Sequence, residues 1–251
     1  MHTMRNVRNA FVMLLCFTLC ATTAGAATIN IAWLDMSPTA ITTPVPNASV
    51  FVVAGVGNVT VTKSIGANVS DTRSTSPSFT IGSVVSGPNT YQWTNYEYFG
   101  TILNSGPDPI VPIVSTVTYT FPATLSAGTV YVGTIGLGAT TSFGGGASTM
   151  TVNQNGTFLG DFAGAGGFGP SLFTPGAGTF TVQNSMTAPG GVNPHWNSQL
   201  AIVRIDDPVS SITIVHSGIR GDGIGANIGF VPDGITSLGK STWGRIKSLY
   251  R

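Results

Sequence analysis

Along Thr116-Val-Thr-Tyr-Thr-Phe121, apolar and polar residues alternate, with Val117, Tyr119 and Phe121 on one face and threonines on the other. A period of two describes a strand with one buried and one wet face. Ser211-Ile-Thr-Ile-Val215 repeats the scheme, placing Ile212 and Ile214 together. The same reading predicts strands over residues 28–34, 49–54, 59–63, 78–84, 91–103, 129–135, 148–158, 178–182, 200–205 and 224–231. Helical periodicity is almost missing from the body of the chain.

Turn signals separate these segments: Ser86-Gly-Pro-Asn89, Gly106-Pro-Asp-Pro109, Asn155-Gly156 and Asp206-Asp-Pro208. Each combines residues that preset or tolerate the dihedrals of a chain reversal. Asn155-Gly156, flanked by β-prone residues, predicts a short hairpin. Residues 136–147 and 163–175 are glycine-rich and read as loops. The expected fold is all-β, a single antiparallel β-sandwich of jelly-roll-like type with glycine-rich loops.

The first residues change the picture at one end. Arg5 and Arg8 precede the apolar run 10–20, and Ala24-Gly25-Ala26 has the small-x-small pattern that signal peptidase reads. Residues 1–26 are therefore expected to be a secretory signal, residues 27–233 the β-sandwich domain and residues 234–251 a C-terminal tail. Both cysteines, Cys16 and Cys20, lie within the signal, so the expected mature chain has no thiol or disulfide chemistry. That fits a bacterial export route, in which a core of this size stands without cross-links.

Charge is scarce, at 8% of residues, and unevenly placed. Between Ala27 and Gly239, Lys63, Arg73, Arg204 and Arg220 face nine acidic residues, a net charge of −5. No basic stripe is present, which argues against a nucleic-acid partner. The tail is the reverse, with Lys240, Arg245, Lys247 and Arg251 and no acid. On a helix, Trp243, Ile246, Leu249 and Tyr250 would share an arc of about 120°, with Arg245, Lys247 and Arg251 outside it. Such a segment suits docking on an anionic surface or on a partner. It contains no apolar stretch near the roughly 18 residues of a membrane span.

No catalytic constellation stands out. Gly164-Ala-Gly-Gly-Phe-Gly169 matches G-x-G-x-x-G, but Pro170 follows and no strand–helix unit surrounds it. Beyond residue 26 the only histidines are His195 and His216, and His216 shares a strand face with Ile212 and Ile214. No pair with zinc-ligand spacing occurs. Asp161, Asp206, Asp207 and Asp222 lack the D-x-D-x-D-G pattern of a calcium loop. The expectation is no metal, no cofactor and no enzyme activity. Glu97, the only glutamate, has no second acid on its strand of the kind that glycoside hydrolysis requires. Its neighbours Trp93, Tyr96 and Tyr98, with Trp196, are the candidate carbohydrate platform, since aromatic faces stack on sugar rings. The same rings equally suit a core.

Residues 196–233, WNSQLAIVRIDDPVSSITIVHSGIRGDGIGANIGFVPD, carry a resemblance. A strand ending in a turn (Leu200 to Ile205), Ser210-Ser-Ile-Thr213, Gly221-Asp-Gly-Ile-Gly225 and Val231-Pro-Asp233 resemble the end of the exported β-sandwich domains of bacterial PEP-CTERM, exosortase-sorted surface proteins. The resemblance implies export and a sorting tag after Val231-Pro-Asp233. The basic tail departs from that family, which places a transmembrane helix at this point. The function expected is that of a non-enzymatic surface or extracellular-matrix protein with a C-terminal sorting or docking tail. Its partner would be an extracellular polysaccharide or cell-envelope component. The alternative is a carbohydrate-binding module or adhesin.

Overall fold

The computed structural model describes residues 25–66, 69–103, 113–140, 146–164, 166–185, 197–218 and 223–231. The chain enters through β1 (Thr28–Asn30) and β2 (Ala32–Trp33), then forms the hairpin of β3 (Ser49–Val53) and β4 (Gly57–Ile65). β5 (Val69–Ser74), the single helical turn α1 (Pro77–Thr80), β6 (Gly82–Ser86), β7 (Asn89–Trp93) and β8 (Tyr98–Leu103) follow. The middle comprises β9 (Ile113–Leu125), β10 (Val130–Ile135), β11 (Ala139–Thr140), β12 (Gly146–Ala147), β13 (Thr149–Val152) and β14 (Gly156–Phe162). Then come β15 (Phe168–Gly169), β16 (Ser171–Pro175), β17 (Phe180–Asn184) and β18 (Asn197–Ser198). β19 (Leu200–Ile205), β20 (Val209–Gly218) and β21 (Gly223–Phe230) complete the fold.

Two seven-stranded sheets carry the architecture. The outer sheet runs β16-β17-β13-β20-β9-β4-β3, and the central sheet runs β14-β19-β10-β21-β8-β5, with β2 also on β21. Consecutive strands cross repeatedly between the two. Eight of them, β8, β9, β10, β13, β17, β19, β20 and β21, give the orders β8-β21-β10-β19 and β9-β20-β13-β17. That is the order of a jelly roll, in which paired strands wrap around a common core. The expected fold class is therefore the observed one.

A third layer was not legible in the pattern. The small sheet β1-β7-β6 packs on the far side of the central sheet, so part of the central sheet is buried on both faces. One core lies between outer and central sheets, with Val61, Tyr119, Met150 and Ile214 meeting Phe99, Val132, Val203 and Ile228. The other lies beneath the small sheet, where Tyr91, Trp93 and Val84 meet Tyr131, Leu200 and Ile202. This explains two kinds of strand in the sequence. β20 alternates because its outer face is wet, whereas β10 is buried at every position. Strands covered on both faces read as continuous apolar runs.

Four sequence expectations change. Residues 91–103 are two strands in different sheets, broken by Thr94–Glu97. Residues 77–80 form a helical turn with proline at its start, and its Phe79 is fully buried. Asn155-Gly156 does not close a hairpin, because β13 belongs to the outer sheet and β14 to the central one. Instead Asn155 pins the crossover, donating to Asp207 (2.7 Å) and accepting from the Gly178 amide (2.9 Å). Part of the expected glycine-rich loop 163–175 is strand, since β16 extends the outer sheet. Among the described residues no helix is long and apolar enough to cross a membrane.

Candidate functional site

The outward face of the central sheet has glycines at Gly100, Gly133, Gly225 and Gly229, and aromatic rings lie across them. At Gly133 a Cβ would come 2.8 Å from both Trp33 and Tyr96, and at Gly225 it would collide with the Tyr98 ring. Only glycine leaves the rings room to lie against the sheet. The result is a row of four rings. Trp93 meets Trp33 edge-on at 6.2 Å, Trp33 meets Tyr96 at 4.9 Å, and Tyr96 stacks with Tyr98 at 6.1 Å and 27°.

The row separates the expected platform residues. Trp93 and Tyr96 are 2% and 0% exposed and belong to the core beneath the small sheet. Trp93 Nε1–H donates to the Phe79 carbonyl (2.9 Å), and Tyr96 O–H donates to the Gly133 carbonyl (3.2 Å). Burial, with neighbouring tyrosines, holds the Tyr96 phenol well above its ordinary range. These two rings therefore offer no face to a sugar, which corrects their placement on an exposed platform. The strand breaks at Thr94–Glu97, so simple alternation does not carry from Trp93 to Tyr96. Trp196 lies outside the described residues, as do His195, Asp222 and the tail residues Trp243, Arg245, Ile246, Lys247, Tyr250 and Arg251.

Tyr98 remains. It stands at the open end of the row, half-buried, with burial raising its phenol pKa. A cleft lies on each side of it. One, of about 210 Å³, is lined with Tyr98 by Thr72, Ser74, Gly100, Thr101, Gly223 and Ile224. The other, of about 120 Å³, adds Ser76, Ile135, Gly136, Phe168, Asn197 and Gly225. Among the described residues no charged side chain lines either one. Asn197 lines the second cleft, and its Oδ1 is buried without a hydrogen-bond partner among the described residues. Ser74, Ser76 and Asn197 were not singled out in the sequence. Their only signal was position, two serines just before Pro77 and an asparagine next to Trp196.

Glu97 has a different task. Its Oε2 accepts from Arg73 Nε (3.0 Å) and Nη2 (2.6 Å), and its Oε1 accepts from the Met36 amide (2.5 Å). Arg73 also donates to the Thr39 carbonyl and to Asp35 (3.2 Å). Both carboxylate oxygens are thus engaged in fastening the long 34–48 segment to the sandwich. Asn227, fully buried, donates to the carbonyls of Leu34 (3.0 Å) and Glu97 (2.8 Å), filling the gap on β21 between β2 and β8. Lys63 pairs with Asp71 at 2.5 Å and closes the sandwich edge between β4 and β5.

His216 is a packed histidine. It is 1% exposed, with Nδ1 2.9 Å from Thr101 Oγ1, and burial lowers its pKa to about 4. The folded state therefore resists a proton that the unfolded chain accepts near 6.5. Stability is full above pH 6.5 and falls as pH drops toward 4, by about 3 kcal/mol over that window. Asp161, whose carboxyl burial pushes up, works in the opposite sense as it takes up its proton. Urea unfolding of the wild type between pH 7 and 4 should show the loss, and His216→Gln should flatten it. A wild-type profile flat across this window would overturn the assignment.

Among the described residues no three His, Cys, Asp or Glu side chains converge as a metal site would require. Asp206 instead pairs with Arg204 (2.9 Å) and accepts from Thr157 (2.6 Å), while Asp161 accepts from the Ser171 amide (2.8 Å). The G-x-G-x-x-G match ends in β15, and β16 follows rather than a helix. No protein-family model matches the chain, and no curated protein is significantly similar to it.

Proposed function

We propose that the protein is a non-enzymatic, exported β-sandwich of the bacterial cell surface or extracellular matrix that holds neutral saccharide at the Tyr98 cleft. The observation carrying the binding reading is the cleft itself. One aromatic ring lies over a glycine floor, flanked by hydroxyl groups, with no charge among the described lining residues. A pyranose offers an apolar C–H face to such a ring and hydroxyls to such partners. The clefts are open and small beside the several hundred Å³ of a typical enclosed ligand pocket. They suit one or two rings of a chain passing over the surface.

Export rests on the signal-like residues 1–26 and on the resemblance to the PEP-CTERM surface proteins. The basic tail, residues 234–251, would serve as a sorting or docking element. The non-enzymatic reading is supported by the employment of Glu97 and His216 in packing.

Tyr98→Ala is expected to weaken oligosaccharide binding on a glycan array about tenfold or more under conditions where the variant stays folded, and Tyr98→Phe should retain most of it. Ring stacking is typically worth one to a few kcal/mol at such an anchor, or about tenfold or more in affinity. Binding undiminished in Tyr98→Ala, or absent from the wild type across a broad array, would reject the cleft.

A further inference from the structure

The outward face of the outer sheet is paved with hydroxyl groups. Cross-strand register aligns them in rows. Thr62, Thr118 and Thr213 form one row, and Thr60, Thr120 and Ser211 another. A third runs Ser64, Thr116, Val215, Thr151, Thr181 and Thr174 across six strands. Rows lie about 6.7 Å apart along the strands, and members of a row about 4.8 Å apart. None of the outward-facing positions on the described strands of this sheet is Asp, Glu, Lys or Arg. Lys63, on β4 of this sheet, is turned to the opposite face, where it pairs with Asp71.

We infer that this face is a second docking surface, for an extended neutral polysaccharide chain. It rests on the same ligand class as the Tyr98 cleft but on a separate set of residues. Each threonine presents a hydroxyl that both donates and accepts, as does each hydroxyl of a sugar, and a methyl group that packs on C–H. Some hydroxyls already hold one another, Thr118 with Thr213 and Thr151 with Thr181, both at 3.1 Å. Side chains fixed before binding lose less freedom on binding. The absence of charge selects a neutral partner, since a polyanion would meet no cation here. Sheet twist, about 20–25° between neighbouring strands, selects a chain that can follow the surface over a flat crystalline lattice. Exposed Val50 and Val52 on β3 extend the face with apolar surface at one edge.

The test is native affinity electrophoresis of the full chain through gels containing dextran, mixed-linkage β-glucan, galactomannan or alginate, each compared with a polysaccharide-free gel. The wild type should be retarded by at least one neutral polymer, equally at about 0.05 and about 0.5 M salt, because no screened charge pair contributes. Thr118→Lys with Thr213→Lys should weaken that retardation roughly tenfold, since docking would desolvate two unpaired ammonium groups. Thr118→Val with Thr213→Val, which keeps the shape, should weaken it less, and Tyr98→Ala, which disables only the cleft, should weaken retardation without removing it. Retardation by alginate alone, by no polymer, or equally in wild type and the lysine pair would overturn the inference. Loss in Tyr98→Ala with retention in the lysine pair would also sink it, while upholding the cleft.

Discussion

Arg73→Ala is expected to lower the unfolding free energy by about 3–5 kcal/mol, the cost of leaving one partner of a buried ion pair uncompensated. The side chains of Arg73 and Glu97 are 13% and 9% exposed, so solvent screens the pair little. Removing the guanidinium also releases the Thr39 carbonyl and Asp35, and with them the hold on residues 34–48. That segment places Leu34, Met36 and Val45 in the main core. Glu97→Gln should cost less, because an amide oxygen still accepts from the Met36 amide. Urea unfolding at neutral pH measures both variants. A loss below about 1 kcal/mol for Arg73→Ala, as found for surface pairs, would show that the clamp does not support the fold.

Trp93→Ala is expected to cost a similar amount, about 3–5 kcal/mol, through lost burial and the cavity left behind. The ring sits between Trp33 and Phe162, edge-on to both, and its N–H satisfies the Phe79 carbonyl. Truncation would leave that carbonyl without its donor and loosen the small sheet from the central one. Saccharide binding measured under conditions where the variant stays folded should change little, since Trp93 lines neither cleft. Thermal unfolding beside glycan binding separates the two effects. A stable Trp93→Ala that no longer binds would return Trp93 to the site and displace the reading built on Tyr98.

These two residues mark the boundary of what local pattern reveals. In β9 and β20 the alternation identified both strand and faces, because one side of each meets water. In β10, β19 and most of β21, apolar positions follow one another, and the pattern announced a strand without saying what covered its second face. The aromatic stretch failed for another reason. Counting by twos across Thr94–Glu97 assumes a continuous strand, and a break there resets the phase. The partner of Glu97 lies 24 residues away in Arg73, beyond the reach of any local rule. The T-x-T segments at Thr60, Thr116 and Thr149 were visible one by one, but their alignment into rows depends on register between strands distant in sequence.

By itself the sequence determined the all-β class, the candidate residues and the scarcity of charge, since composition and period-two burial act within a few residues of each other. Tertiary structure alone decided that four aromatic rings form a row with only Tyr98 at its open end. It also assigned Glu97 to a clamp and joined separate threonines into one face. Those outcomes depend on which sheet covers which, and that follows from contacts between residues far apart in the chain.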